Sequence, residues 1–341
     1  MVSSIVGTRV ANGDLIVLRP EGMYCPAGDF YIDPSRPVGC AVITHGHGDH
    51  ARAGMGCYHL ATAGLPILEW RLGVQHYICH AYGEHFRLGA ATVSLHPAGH
   101  VLGSAQVRIE VDGQVWVASG DYKRQPDPTC TPFEPVRCDT FITECTFGLP
   151  IYRWPETAGV VAEIAAWRDE CAAHGEAAIL YCYALGKAQR VLAELLSLGE
   201  AAPVWLHGAV EAGVQVYRRA GVAMIETQRV ADAARGAEFA GRLVIAPPSA
   251  AGSSWLRRFR RAQQGFASGW MQLRGNRRRG SYDRGFVLSD HADWPGLLQT
   301  VQQSGARHVI ATHGSTDALV RTLNEKGLTA TTFALPRGEE D

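Results

Sequence analysis

The sequence predicts an α/β protein, and three observations predict it. Short β-rich apolar runs recur along the 341 residues, helix-like and strand-like stretches alternate between about Tyr152 and Arg284, and polar side chains of one chemical kind gather where the apolar runs stop. With 46% hydrophobic residues the chain can bury a large core, and its length suits one big or two intimately joined domains.

Residues Met1 to Asp14 lack the charged start and long apolar stretch of a signal peptide. No uninterrupted apolar segment is long enough to cross a bilayer, so the expectation is a cytoplasmic protein with no membrane contact. Ala41-Val42-Ile43 reads as a strand, and it delivers Thr44-His45-Gly46-His47-Gly48-Asp49-His50, three imidazoles and a carboxylate in six positions. Neutral imidazole and carboxylate are what a divalent ion such as zinc accepts. Glycines at 46 and 48 let the backbone fold tightly enough for alternate side chains to converge.

The same arrangement repeats downstream. The alternating stretch Ala91 to Leu95 leads to His100 in a glycine-framed loop; Val115 to Gly120 precedes Asp121, and Thr140 to Thr143 precedes Glu144. Phe286 to Asp290 precedes His291, and His308 to Thr312 precedes His313. Loops at one end of a sheet are where a rigid scaffold holds several side chains at one point. Taken with the His45 to His50 cluster, His100, Asp121 and His313 read as further metal ligands. Alone, Asp121 is equally well an Asx turn, and Glu144 better a loop salt bridge. The other eight of the 14 histidines, His59, His76, His80, His85, His96, His174, His207 and His308, have no such placement and read as surface or hydrogen-bonded core residues.

Five site pieces lie before residue 150 and two after 285, so a segment is inserted between them. Helix-like stretches at Glu156 to Ala173 and Lys187 to Leu198 alternate there with strand-like runs at Ala178 to Tyr181, Pro203 to Leu206 and Arg242 to Ala246, the pattern of a parallel α/β cap. A cleft between core and cap is a usual place for a substrate. The formal net charge of -1 hides nine arginines against one acid, Asp283, between Arg257 and Arg284. Arg257, Arg258, Arg260 and Arg261 recur at helical spacing beside Trp255 and Phe259, and Arg274, Arg277, Arg278 and Arg279 sit in a glycine-containing loop. Guanidinium groups grip phosphate bidentately; for any one arginine a solvated face is the alternative. Ser249, Ser253 and Ser254 precede the arginines, where a helix start could meet an anion, although simple capping explains Ser253 or Ser254 equally well. Nine cysteines without a Cys-x-x-Cys pair fit reduced thiols better than a disulfide framework or a structural zinc knuckle.

Over nearly its whole length the chain resembles the metallo-β-lactamase fold nucleases of the β-CASP group. His45, His47, Asp49 and His50 match that fold's second motif, His100 the third and Asp121 the fourth, while Asp33 in Tyr31-Ile32-Asp33-Pro34 resembles the first. Glu144, His291 and His313 match the β-CASP motifs A, B and C. Pro97 to Gln106, Leu185-Gly186-Lys187-Ala188-Gln189, Ala246 to Ala250 and Ser289 to Trp294 read most like the bacterial ligase-associated DNA exonucleases. The resemblance implies an αββα sandwich from residues 1–150 and 285–341 and a β-CASP cap from 151–284. It implies two-metal phosphodiester hydrolysis, with His45, His47 and His100 on one ion, Asp49, His50 and His313 on the other, and Asp121 bridging. Zinc is the first choice of metal, and manganese or iron would accept the same ligands.

His291 would protonate the departing oxygen, Glu144 would orient it, and Asp33 would steady the ligand loop. Lys187 would lie near substrate phosphate, with a solvated helix lysine as the equal alternative. The implied role is a DNA exonuclease working from the 5′ end in repair, beside an ATP-dependent DNA ligase and a helicase. RNA processing is the alternative; the chain's end at Asp341, without the extra C-terminal domain of many RNA-processing relatives, speaks against it. A thioester or lactam hydrolase would share the His45 to His50 cluster without needing Glu144, His291 or the insertion, and a non-catalytic nucleic-acid scaffold would need no metal.

Overall fold

Short apolar runs build two facing sheets. In the computed structural model, which describes residues 13–273 and 282–333, the first sheet runs in chain order through β1 (Val17–Arg19), β2 (Gly22–Cys25), β3 (Phe30–Ile32), β4 (Cys40–Val42), β5 (Cys57–Ala61) and β6 (Tyr77–His80). Its strands are antiparallel up to β3 and parallel from there. The second contains β7 (His85–Leu88), β8 (Ala91–Pro97), β9 (Ala105–Val111), β10 (Gln114–Ala118), β11 (Thr140–Glu144), β18 (His308–Thr312) and β19 (Thr329–Thr332), with β11 parallel to both β10 and β18. Side-chain alternation sends Phe30, Ile32 and Val42 of the first sheet against Val93, Ile109, Ile142 and Ile310 of the second. The opposite faces are covered by helices. Ala41 and Ile43 meet Leu68 of α1 (Leu65–Leu72), while Phe141 and Val309 pack under Leu297 of α5 (Trp294–Ser304) and Leu319 of α6 (Thr316–Glu325). The layering is helix, sheet, sheet, helix.

A third, wholly parallel sheet is drawn from the middle of the chain: β12 (Ala177–Tyr181), β13 (Val204–Leu206), β14 (Thr227–Arg229), β15 (Leu243–Ala246), β16 (Ala262–Ala267) and β17 (Arg284–Phe286), in the spatial order β14-β13-β15-β12-β16-β17. One face takes α2 (Thr157–Ala173), α3 (Lys187–Ser197) and α4 (Gly208–Arg219), through Trp167, Leu192 and Val214 against Leu180 and Ile245. The other takes Phe239 and Phe259 against Ile179 and Val244. Central β12 is buried at every residue, which is why it reads as a continuous apolar run.

Two local readings change. Arg257 to Arg261 do not form a helix: Ser254–Arg258 is one 3-10 turn, because Phe259 drops into the core and Ala262 enters β16 in register with Ala177. The run before His291 is a strand only to Phe286, and it pairs in the third sheet with β16, so residues 287–293 reach the site as a loop. β16 and α4 have no counterpart in the sequence reading; Ala262-Gln263-Gln264-Gly265 is too polar to announce a buried strand. Arg274, Arg277, Arg278 and Arg279 lie outside the described residues. No described helix is long and apolar enough to cross a membrane.

Candidate metal centre

The ligand loop leaves β4 at Thr44 and is pinned at once. Asp33 accepts hydrogen bonds from the Thr44 amide (2.8 Å) and hydroxyl, and its Oδ2 lies 2.7 Å from His50 Nδ1. A Cβ on Gly46 would stand 2.4 Å from the Ile67 side chain, and one on Gly120, whose φ is +55°, 2.7 Å from Thr44. Only glycine therefore lets the His45 loop seat on α1 and the Asp121 turn close over the end of β4.

Ligand atoms of His45, His47, His100 and Asp121 lie within 4.8 Å of one another, and every residue of this group but the half-buried His47 is buried. His47 Nδ1 is 3.0 Å from His45 Nε2 and 3.1 Å from His100 Nε2; Asp121 Oδ2 is 3.6 Å from His45 Nε2 and 3.9 Å from His100 Nε2. The second nitrogen of each ring is held from behind: His45 Nδ1 by the Thr44 hydroxyl at 3.1 Å, His47 Nε2 by the Leu185 carbonyl at 3.2 Å, His100 Nδ1 by the Asp290 carbonyl at 2.7 Å. A carbonyl only accepts, so His47 and His100 carry their protons on the outer nitrogens and turn lone pairs inward, the arrangement that orients imidazole toward a cation. The two carbonyls belong to the segment bearing the third sheet and to the loop leaving it.

A second group adjoins the first through Asp121. Its Oδ2 lies 3.4 Å from His50 Nε2, which in turn is 3.6 Å from Asp49 Oδ2. His313, in the left-handed conformation at φ +53°, sets its ring 5.9 Å from that of His50. Asp49 and Asp121 line two cavities, one shared with His50, His313 and Arg52, the other with His47, His100, Lys187 and His291.

Burial, reinforced by nearby imidazoles, holds His45 and His100 well below the ordinary histidine range, and burial lowers His47 too. Burial alone would push His50 the same way, but the Asp121 and Asp33 carboxylates override it and hold His50 well above that range. Asp121, which burial would raise, is held well below the usual carboxylate range by His50. Where no cation is bound, a proton on His50 stands in for positive charge among these carboxylates.

Beside the cluster, His291 Nδ1 lies 2.9 Å from Glu144 Oε1, and the Glu144 carboxylate also accepts from the amides of Tyr122 (3.1 Å) and Thr146 (3.2 Å). The His291 and His100 rings are 4.8 Å apart. Lys187 lines the smaller cavity yet is only 3% exposed, with its ammonium 3.2 Å from Asp290 and over the Tyr183 ring. Arg190 donates to the Ser289 carbonyl at 2.6 Å and lies 3.4 Å from Asp290.

None of Ser249, Ser253, Ser254, Arg257, Arg258 and Arg261 lines either cavity. Arg258 donates to the carbonyls of Val230 and Ala233, Arg261 pairs with Glu176, Ser253 bonds the Ala250 carbonyl, and Arg257 is exposed. Sequence reasoning missed Asp290, Leu185 and Thr44 as holders of the imidazoles. Asp290 is adjacent to His291, which is a usable signal; a backbone carbonyl such as that of Leu185 leaves none.

No family model matches the chain. Over 320 residues it is 32% identical to a protein from Opitutus terrae named Probable DNA ligase, an alignment covering 91% of this chain and 30% of that one. It is 26% identical over 201 residues to an RNase J-like protein from Methanocaldococcus jannaschii (52% and 48% covered), and 32% identical over 124 residues to Ribonuclease TTHA0252 from Thermus thermophilus (36% and 28% covered). The chain thus spans less than half the length of each of these relatives. Among solved structures, a protein of unknown function from Enterococcus faecalis aligns with TM-score 0.55 at 11% identity over 91% of this chain and 81% of that one, a likeness of fold.

Proposed function

We propose that the protein is a metal-dependent phosphodiesterase of the β-CASP metallo-β-lactamase group, acting as a DNA exonuclease from the 5′ end. The two-sheet sandwich would be its metallo-β-lactamase domain and the third-sheet unit its β-CASP cap. The observation that carries this reading is the convergence of three imidazoles and Asp121, with the His291–Glu144 pair beside Asp121 and with His47, His100, Asp121 and His291 lining one cavity. The donor set fits two divalent cations of the zinc class, as two groups of nitrogen and carboxylate donors share one buried carboxylate. His45, His47 and His100 would hold one ion, Asp49, His50 and His313 the second, and Asp121 both. Such a pair supplies an activated water and offsets charge growing on the phosphate oxygens.

The chain's own residues do the rest. Asp33 fixes His50 and the Thr44 turn, so the donors stand ready before substrate arrives. Glu144 holds His291 at Nδ1, favours its charged form, and leaves Nε2 as the nitrogen that delivers a proton to the departing 3′ oxygen. Lys187, neutralised by Asp290, acts by holding the loop that carries His291. The ligase-named relative supports a DNA substrate beside an ATP-dependent ligase. The ribonuclease-named relatives favour RNA as the second reading. Incubation of 5′- and 3′-labelled DNA and RNA with added metal or chelator, followed by product sizing, tests both. Short products from the 5′ end of DNA, abolished by chelator, are expected; cleavage of RNA with DNA left intact would move the reading to RNA, and cleavage of neither would end it.

A further inference from the structure

Parallel pairing brings Cys40 of β4 directly beside Cys57 of β5, and His59 follows two residues on along the same face. The two Sγ atoms and a ring nitrogen of His59 lie within 4.8 Å of one another. This face looks into the seam between the sandwich sheets: Cys40 packs against that core, and His59 lies parallel to Phe86 with ring centroids 5.4 Å apart. Both cysteines are half-buried, so the group is reachable from solvent. Behind it stands a relay. His59 Nδ1 is 2.9 Å from His80 Nε2, and His80 Nδ1, buried without a hydrogen-bond partner among the described residues, faces Glu84 Oε1 at 3.7 Å. Glu84 is itself anchored by the Ala81 amide at 2.8 Å. A proton on His80 Nδ1, the side of the carboxylate, makes His80 Nε2 the acceptor; His59 then donates from Nδ1 and keeps its lone pair on Nε2.

We infer that Cys40, Cys57 and His59 form a third cation site, for a zinc-type ion held by two thiolates and one imidazole, with the His80–Glu84 pair orienting the imidazole. Thiolate and imidazole together select zinc over magnesium or calcium, and three protein donors leave one position for solvent. Bonds of about 2.0–2.3 Å in a tetrahedron set donors roughly 3.6 Å apart, so the three close in by up to about 1 Å, within the reach of side-chain rotation. The carboxylate–imidazole–imidazole chain is the outer support that metal-bound histidines commonly have. Burial and the neighbouring Cys57 thiol push the Cys40 thiol up to about 12, so Cys40 keeps its proton until a cation displaces it. The site would clip β4 to β5 at strand starts, away from the His45 loop that leaves the far end of β4. The missing Cys-x-x-Cys spacing is no obstacle, since strand pairing replaces it.

Full-length protein, reduced and stripped with chelator, is titrated with Co2+. Thiolate-to-cobalt charge-transfer absorption is expected, which the His and Asp donors of the catalytic cluster cannot give. Cys40→Ser with Cys57→Ser should abolish that band while the weaker ligand-field bands of the other centre persist, and Glu84→Gln should weaken the band's apparent affinity about tenfold. In the unaltered protein, Zn2+ should shield Cys40 and Cys57, and not Cys79 or Cys130, from alkylation as read by peptide mass spectrometry. Absence of the band at saturating cobalt, equal alkylation with and without zinc, or a Cys40–Cys57 disulfide in the reduced protein would each overturn the assignment. No readout depends on nuclease activity, so this site and the proposed catalysis stand or fall separately.

Discussion

His100 Nδ1 lies 2.7 Å from the backbone carbonyl of Asp290, a hydrogen bond between residues 190 positions apart that ties a loop of the two-sheet sandwich to the loop bearing His291. The Asp290 carboxylate is meanwhile held by Lys187 and Arg190, and those cations with Lys123 keep it well below the usual carboxylate range against the upward push of burial. One residue thus sets the tautomer of His100 through its backbone and anchors itself through its side chain.

Replacing Asp290 by alanine should therefore cost more than a surface ion pair would. It leaves Lys187 and Arg190 buried with less opposing charge, a destabilisation of about 3–5 kcal/mol by the usual cost of breaking such pairs. Urea unfolding measures it, and metal affinity should fall as the loop under His100 loosens. A change below about 1 kcal/mol, the range of an exposed pair, would mean the pairs are not buried in solution.

Cation uptake should release a proton. His50 is held protonated at neutral pH by Asp121 and Asp33, whereas His45, His47 and His100 are already neutral. Affinity at the His50 site should then rise about tenfold per pH unit until the raised His50 value is passed. In the cation-free protein the same raised value stabilises the fold, fully below the ordinary histidine range and progressively less as pH climbs through the folded value. Calorimetric titration of the Cys40→Ser, Cys57→Ser variant, which has no thiol protons to release at the third site, in two buffers of different ionisation heat counts the proton; heats independent of buffer would exclude His50 from the second cation.

His291→Ala should keep both metals and bind nucleic acid, yet turn over about 10²- to 10⁴-fold more slowly, the usual worth of a positioned general acid. Glu144→Gln should follow in the same direction, since the charge favouring protonated His291 is gone and, with Tyr122 and Thr146 bonding different carboxylate oxygens, one of those amides also loses its acceptor. Unchanged turnover in His291→Ala would remove the acid role, whatever the metal content.

How legible each residue is in the sequence follows from where it sits. Asp121 and His313 follow β10 and β18, and Glu144 closes β11, neighbours in one parallel stretch of the second sheet, so a short continuous apolar run that stops at a polar residue locates them. His291 is legible by the same pattern although its run belongs to another sheet, and only the chain's return after β17 brings the loop under His100. Lys187 reads as a helix lysine free to meet phosphate; its burial against Asp290 depends on packing between α3 and a loop about 100 residues later, which no local pattern encodes. His59 and His80 look ordinary for the same reason.

The arginines before β16 divide into two kinds, and salt dependence separates them. Arg258 donates to the Val230 and Ala233 carbonyls at 3.0 and 2.6 Å, so Arg258→Ala should cost stability, about 1–3 kcal/mol, and barely alter how nucleic-acid affinity responds to salt. Arg257 is exposed, and Arg261 holds Glu176 at 3.0 Å from a largely exposed position, a pairing that a phosphate can compete with. Reversing both, Arg257→Glu with Arg261→Glu, should leave folding intact, weaken DNA binding, and reduce the slope of log affinity against log salt by about one for each phosphate no longer neutralised. The double variant is the sharper test because neither residue lines the metal cavities, so turnover at saturating DNA should be preserved. An unaltered slope would make this stretch a solvated face of the third-sheet unit, and the grip on nucleic acid would then have to come from elsewhere on the molecule.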